Sequence, residues 1–202
     1  MSPTTTGPRI LVFSGSARTG SHNARLAELA RRALAAAGAR PHPVNLREFA
    51  LPLYDGDIQA AQGIPDAAHR FADLLREHDG VVIVSPEYNY SMPGTVKNLI
   101  DWVSRIKPWP TIGVNGLLMS ASPSAVGGHR GLIALRVPLE GIGARLHPEM
   151  FTLAFADKAY GDDGELADAG SRDRLRRLVS DFLDVVAATI HYRQSRELVT
   201  EG

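Results

Sequence analysis

Cysteine occurs nowhere in the 202 residues. That excludes disulfides, thiolate metal sites and any cysteine nucleophile or redox dithiol. Excess charge of either sign is also missing: 22 basic residues meet 22 acidic ones, so no overall field draws the chain to nucleic acid or to an anionic membrane. No apolar run approaches the ~18 residues of a membrane span. Residues 1–8 lack the charged-then-apolar pattern of a signal peptide and read as a flexible leader, which makes a cytoplasmic location the expectation. The histidines (His22, His42, His69, His78, His129, His147 and His191) show no metal-ligand spacing. A G-x-S-x-G nucleophile elbow is absent. Asp162-Asp163-Gly164-Glu165 fails the calcium-loop pattern because Ala159 and Gly161 hold the two earlier ligand positions, so it reads as a turn. What is left is an ordinary globular composition, 44% hydrophobic and 22% charged, with no internal repeat. It predicts a single domain over residues 9–194 and a tail at 195–202.

What is present is organised around residues 9–23. Ile10-Leu11-Val12-Phe13 is a continuous apolar run, as expected of a strand buried on both faces of a parallel sheet. From Ala24 the period becomes helical, with Leu26, Leu29, Ala30, Ala33, Leu34 and Ala37 on one face and Gly38 as a stop. The same alternation recurs along the chain. Strands are predicted at 43–46, 81–84 and 117–119, with a weak fifth at 145–146 and 150–156. Helices are predicted from Pro65, from Pro93 to about Ile106, from His129, and from Ser171 to Tyr192. Pro138 and Gly141 should kink or shorten the fourth helix. The stretch 47–63 is long for a connection, and such loops are often functional or packed against a neighbour. Strand–helix alternation of this kind predicts an α/β fold with a doubly wound five-stranded parallel sheet, order 2-1-3-4-5, and helices on both faces.

In that order strands 1 and 3 flank the topological switch point, where ligands bind. The loop starting at Gly15 delivers free N–H groups and the positive end of a helix to one spot, which suits a phosphate. Ser16, Ser21 and Asn23 add neutral hydrogen-bonding groups, and Arg18 adds a charged fork. Ala17 breaks the G-x-G-x-x-G dinucleotide pattern, and Ser21-His22 do not complete a P-loop. The loop starting at Ser85 carries Tyr88 and Tyr90 between Pro86 and Pro93, which restrict its backbone. Glu87 reads either as a general acid or base or as a capping group. Trp102 reads as core, and Tyr54 either as core or as reaching a neighbouring subunit. Two loops sharing one crevice make a site for a flat molecule with a phosphate.

Gly15-Ser16-Ala17-Arg18-Thr19-Gly20-Ser21-His22-Asn23, then Leu51-Pro52-Leu53-Tyr54-Asp55, then the block from Pro86-Glu87-Tyr88-Asn89-Tyr90 through Pro93-Gly94, Lys97-Asn98 and Asp101-Trp102 together resemble the NAD(P)H-dependent FMN reductase family. This is the flavodoxin-like group that includes bacterial quinone, chromate and azo-dye reductases, and the similarity covers about residues 9–156. The resemblance implies FMN as cofactor. Ser16, Arg18, Ser21, His22 and Asn23 would lie at its phosphate and ribityl chain. Pro86, Glu87, Tyr88, Asn89 and Tyr90 would lie at the isoalloxazine, and Ser122, Gly127 and Gly128 on the third side. It implies NADH or NADPH as reductant, hydride transfer through flavin N5 by a ping-pong mechanism, and a small-molecule electron acceptor. No protein residue is assigned as proton donor. It also implies a homodimer or homotetramer with the flavin near the subunit interface, and Arg130 and Glu149 at a subunit contact. A flavodoxin-type electron carrier is the alternative. Such carriers usually show an acidic docking surface, whereas this chain's charge is balanced. A nucleotide-binding sensor module comes last, because no appended signalling element is visible.

Overall fold

The computed structural model describes residues 7–200. Six strands form one parallel sheet: β1 (Arg9–Ser14), β2 (Arg40–Val44), β3 (Gly80–Val84), β4 (Asn115–Ala121), β5 (Arg145–Leu146) and β6 (Phe151–Leu153). The order is β2-β1-β3-β4-β5, with β6 also on β4. The expected doubly wound, flavodoxin-like α/β fold is therefore present. Ile10 and Val12 of β1 face the core shared with α1 (His22–Ala36) and α6 (Ala169–Thr200). Leu11 and Phe13 face the core shared with α3 (Asp66–Glu77), α4 (Gly94–Val103) and α5 (His129–Gly141). Burial on both faces is what gives β1, β3 and β4 their consecutive apolar residues, Ile10–Phe13, Val81–Val84 and Leu117–Met119.

Several boundaries differ from expectation, each for a physical reason. β2 begins at Arg40 and ends at Val44, not at 43–46. It is an edge strand carrying Pro41 and Pro43, and most of it is exposed, so no apolar run marks it. Asn45 then accepts the Arg47 N–H and opens a short 3-10 turn, Leu46–Phe49. The 47–63 connection also holds a helix that the pattern did not reveal, α2 (Gly56–Gln62). Asp55 caps it, Gly63 ends it, and none of its residues is buried. The connection lies on its own chain. Pro52 O accepts both Asn98 Nδ2 (2.9 Å) and Trp102 Nε1 (2.8 Å), and Tyr54 packs edge-on against the buried Trp102. Tyr54 is thus an intrachain packing residue, and the length of this segment no longer argues for a neighbour.

The fourth helix of the sequence reading, α5, runs through Pro138 and stops one turn later, at Gly141. The weak fifth strand is two pieces placed end to end along β4, β5 on Asn115–Gly116 and β6 on Met119–Ala121. The last helix continues to Thr200, past the expected Tyr192. Of the expected leader, residues 1–6 lie outside the described residues, as do residues 201–202 of the expected tail. Among the described residues no helix is long and apolar enough to cross a membrane.

Candidate functional site

Gly15 begins the phosphate-side loop with its N–H on Val84 O at 2.9 Å. A Cβ at this position would lie 2.6 Å from Val96 Cγ2 and 3.5 Å from Ser85 Cα. The loops starting at Gly15 and Ser85 therefore touch, as the strand order predicted. Serine hydroxyls wind the first loop: Ser14 Oγ accepts the Ser16 N–H (3.2 Å), and Ser16 Oγ accepts the Arg18 N–H (3.4 Å). Gly20, at φ +67°, turns the chain into α1. Ser21 caps α1 by accepting the Asn23 N–H at 3.1 Å.

Among the described residues, the amides of Ala17, Thr19, Gly20, Ser21 and His22 have no acceptor. The first turn of α1 carries no acidic residue, whereas α2 and α3 begin with Asp57 and Asp66. Arg18 is exposed, and its guanidinium is unpaired among the described residues. Free donors, a positive helix end and a free cation all favour an anion.

On the ring side, Ser85 and Pro86 are buried at the end of β3. Tyr88 and Ser91 exchange backbone hydrogen bonds of 2.8 and 3.0 Å. Between them Asn89 and Tyr90 sit at φ +50° and +66°. A left-handed tyrosine is an uncommon, strained arrangement, found where the surroundings dictate it. The rings of Tyr88 and Tyr90 are exposed. The Glu87 carboxylate is engaged within its own chain. Its Oε1 accepts Arg130 Nε at 2.9 Å and its Oε2 accepts the Gly131 N–H at 3.1 Å, at the start of α5. The capping reading is therefore the correct one of the two. Arg130, expected at a subunit contact, is held within its own chain and lies over the Tyr90 ring at 4.2 Å. Glu149 is exposed.

The third side follows β4. Ser122 donates its N–H to Leu153 O at 3.0 Å, and its Oγ accepts the Ser124 N–H at 3.2 Å. Gly127 and Gly128 are both left-handed, at φ +64° and +85°. A Cβ on Gly128 would lie 2.0 Å from Ser120 Oγ. Asn23, 3% exposed, bonds both ends of its amide to the backbone of Ala121. It fastens the loop-bearing end of α1 to the end of β4. Ser16, Arg18, Ser21, His22, Pro86, Tyr88, Asn89, Tyr90, Ser122, Gly127 and Gly128 all lie in these three loops or at their ends, at the carboxyl edge of the sheet.

Two residues of this edge were not singled out in the sequence. Ser120 is fully buried, and among the described residues its Oγ has no partner. Tyr160 stacks on His22 at 6.3 Å, and its OH donates to His22 O at 2.8 Å. Burial pushes the Tyr160 phenol up to about 12, against the pull of Arg25 over its ring. Neither residue stands in a pattern that would have marked it. Buried His22 Nδ1 likewise has no partner among the described residues. Among the described residues no group of three or more histidine and carboxylate side chains is placed to hold a metal ion.

The family model described as NADPH-dependent FMN reductase matches residues 8–158. A quinone reductase of Escherichia coli K12 is 36% identical over 178 residues, covering 86% of this chain and 93% of its own. An NAD(P)H-dependent FMN reductase of Pseudomonas aeruginosa is 34% identical over 175 residues, covering 84% and 90%. Among solved structures, the flavoenzyme NAD(P)H:(acceptor) oxidoreductase of Paracoccus denitrificans superposes with a TM-score of 0.76 at 26% identity, covering 90% of this chain and 98% of that one.

Proposed function

The chain belongs to the NADPH-dependent FMN reductase family, and from that premise we propose that it takes electrons from NADH or NADPH and delivers them, through FMN, to small oxidants of the quinone type. The convergence of the loops at Gly15 and Ser85 carries this reading, since it gives an anionic tail and a planar head one crevice to share. The donor set fits FMN. Free amides at Ala17, Thr19, Gly20, Ser21 and His22, with the unpaired Arg18, match a phosphate dianion. A charge-assisted bond from Arg18 contributes roughly 1.5–3 kcal/mol. The helix end adds about 0.3–1 kcal/mol, more if partly buried.

When bound, FMN would supply the redox chemistry, a centre for hydride from the pyridine nucleotide and for two-electron reduction of the oxidant in a ping-pong sequence. The protein's part is to hold and orient. Ser16, Arg18, Ser21 and His22 fix the phosphate end. Tyr88 and Tyr90 offer ring faces beside the flavin, and Ser122, Gly127 and Gly128 close the third side. The amides of Asn89 and Tyr90, without acceptors among the described residues, are donors for negative charge that builds on the ring during reduction. Quinone reduction is taken from the relatives, two of which are named for that activity or for FMN reduction.

A homodimer or homotetramer with the flavin near the subunit interface belongs to the same proposal. Arg130, Ile133 and Val137 share one face of α5, and Tyr90, Ile133 and Val137 leave apolar surface exposed there. A cytoplasmic location fits a chain without cysteine. An absorbance spectrum before and after anaerobic NADPH tests the core of the proposal. A flavin band bleached by NADPH or NADH and restored by a quinone is expected. FMN-saturated protein that oxidises neither nucleotide with any quinone would end it.

A further inference from the structure

Glu87 sits in the loop that borders the flavin ring in the proposed site, yet its carboxylate is turned away into its own chain. Its side chain is only 10% exposed, and both oxygens are used, one on Arg130 and one on the Gly131 amide. α5 has no capping side chain of its own, because Gly128 stands at its N-cap. Glu87 supplies that cap from another part of the chain, 44 residues away. The contact is close along its whole length: a Cβ on Gly131 would lie 2.9 Å from Glu87 Cα and 3.0 Å from Ser91 O. The Arg130 guanidinium, bonded to Glu87 through Nε, has its Cζ over the Tyr90 ring at 4.2 Å from the centroid. The adjacent turn holds Asn89 and Tyr90 in the left-handed region, which persists only where neighbouring contacts enforce it.

We propose that Glu87 is a positioning residue: through Arg130 and the first turn of α5 it holds the strained 88–91 turn, and so the Tyr90 ring, in the shape that walls the ring side of the flavin crevice. This rests on the reading that a flavin occupies that crevice. It also assigns the residue a particular end of the ligand. Glu87 governs the ring, whereas Arg18 governs the phosphate.

The two ends are separable with FMN and riboflavin, which share the ring and differ in the phosphate. Affinities of the full-length apoprotein for each are measured by flavin fluorescence, together with the visible circular dichroism of the bound flavin. Glu87→Gln keeps an oxygen for the Gly131 amide but loses the charge that holds Arg130. It should weaken FMN and riboflavin by the same factor, about tenfold, and alter the visible dichroism. Arg130→Ala should do the same, and the double variant should be no weaker than either single one, because both changes break one linkage. Arg18→Ala should weaken FMN alone. If Glu87→Gln does not fold, Arg130→Ala, at the more exposed end of the pair, carries the same test. Variants that bind both flavins as tightly as wild type, with unchanged dichroism, would overturn the proposal while leaving the flavin site standing. So would a loss confined to FMN. Wild-type protein that takes up neither flavin would overturn the proposal together with the reading beneath it.

Discussion

The side-chain amide of Asn23 closes a ring with the backbone of Ala121, donating from Nδ2 to the carbonyl at 2.8 Å and accepting the Ala121 N–H on Oδ1 at 2.9 Å. The pair ties the N-terminal turn of α1 to the last residue of β4, and so ties two walls of the crevice together. Both Ala121 groups are buried, and Asn23→Ala leaves them without partners. Each such loss costs about 1–3 kcal/mol. The urea midpoint of the apoprotein should fall accordingly, with an unchanged slope. A wild-type midpoint for Asn23→Ala would show that this pair does not hold the walls.

Gly15 is a glycine for want of room, not for backbone freedom. Its hypothetical Cβ meets Val96 Cγ2 at 2.6 Å, inside any real contact, and Val96 is itself buried in the α4 core. Gly15→Ala should destabilise by about 1–3 kcal/mol through overpacking. Val96→Ala removes the offending methyl at its own cavity cost. The combined variant should be more stable than the sum of the two losses predicts, which a denaturant double-mutant cycle would reveal. Strict additivity would mean that the Gly15 loop and α4 do not press on each other at this point.

Arg18 has no partner within the described residues, so nothing in the fold depends on its charge. Arg18→Ala should leave the apoprotein's stability within about 0.5 kcal/mol, as for surface changes generally. FMN affinity should drop at least about tenfold, matching one lost charge-assisted hydrogen bond. The wild-type affinity should also weaken as salt is added, because the interaction is exposed to screening. Equal FMN affinity in a titration of the two proteins would remove Arg18 from the phosphate cup.

The legible parts of this molecule were those whose cause is local or periodic. β1, β3 and β4 announce themselves because burial on both faces favours consecutive apolar residues, Ile10–Phe13, Val81–Val84 and Leu117–Met119. The meeting of the Gly15 and Ser85 loops followed from strand order alone. β2 starts before the predicted 43–46 because an edge strand with two prolines is under no such demand. α2 was missed because seven residues with none buried leave no stripe. The intrachain bonds of Glu87 and Asn23 are not legible in the sequence for a different reason. Their partners lie 43 or 44 and 98 residues away, and residue type alone does not say whether a polar group is free for a ligand or already engaged.

His78 links α3 to the sheet at the edge opposite the crevice. Its Nδ1 lies 2.6 Å from Leu74 O and its Nε2 3.0 Å from His42 Nδ1, so the network fits a neutral ring that donates to Leu74 and accepts from His42. Burial is the main cause that holds its pKa below the ordinary histidine value. Arg9 and His42 push the same way, and the Leu74 carbonyl and Glu77 oppose them. Asp79, next in the chain, has its carboxylate on the Arg9 N–H. A depressed pKa means that the unfolded chain binds a proton more readily than the folded one. The resulting stability is complete above about pH 6.5 and is lost as pH falls from there through the folded-state value. Urea midpoints between pH 7.5 and 5.5 should therefore decline more steeply in wild type than in His78→Phe. Parallel slopes would show that the ring does not resist protonation.

The assembly prediction turns on α5. Val137 is 70% exposed and Ile133 sits one turn before it on the same face, with Arg130 and Tyr90 beyond. Isolated exposed apolar residues are ordinary, but a stripe that runs up to the crevice is not accounted for by packing within this chain. The 47–63 connection does not contribute to the argument, since Pro52 and Tyr54 are satisfied by Asn98 and Trp102 of the same chain. If α5 is the contact, a glutamate at its centre places a charge in a desolvated interface, which costs affinity heavily, while in a free subunit it is merely solvated. Wild-type protein should sediment as a dimer or larger at micromolar concentration. Val137→Glu should sediment lighter, with its far-UV circular dichroism unchanged. A wild-type monomer under those conditions would refute assembly. A Val137→Glu protein as heavy as wild type would move the contact to another face.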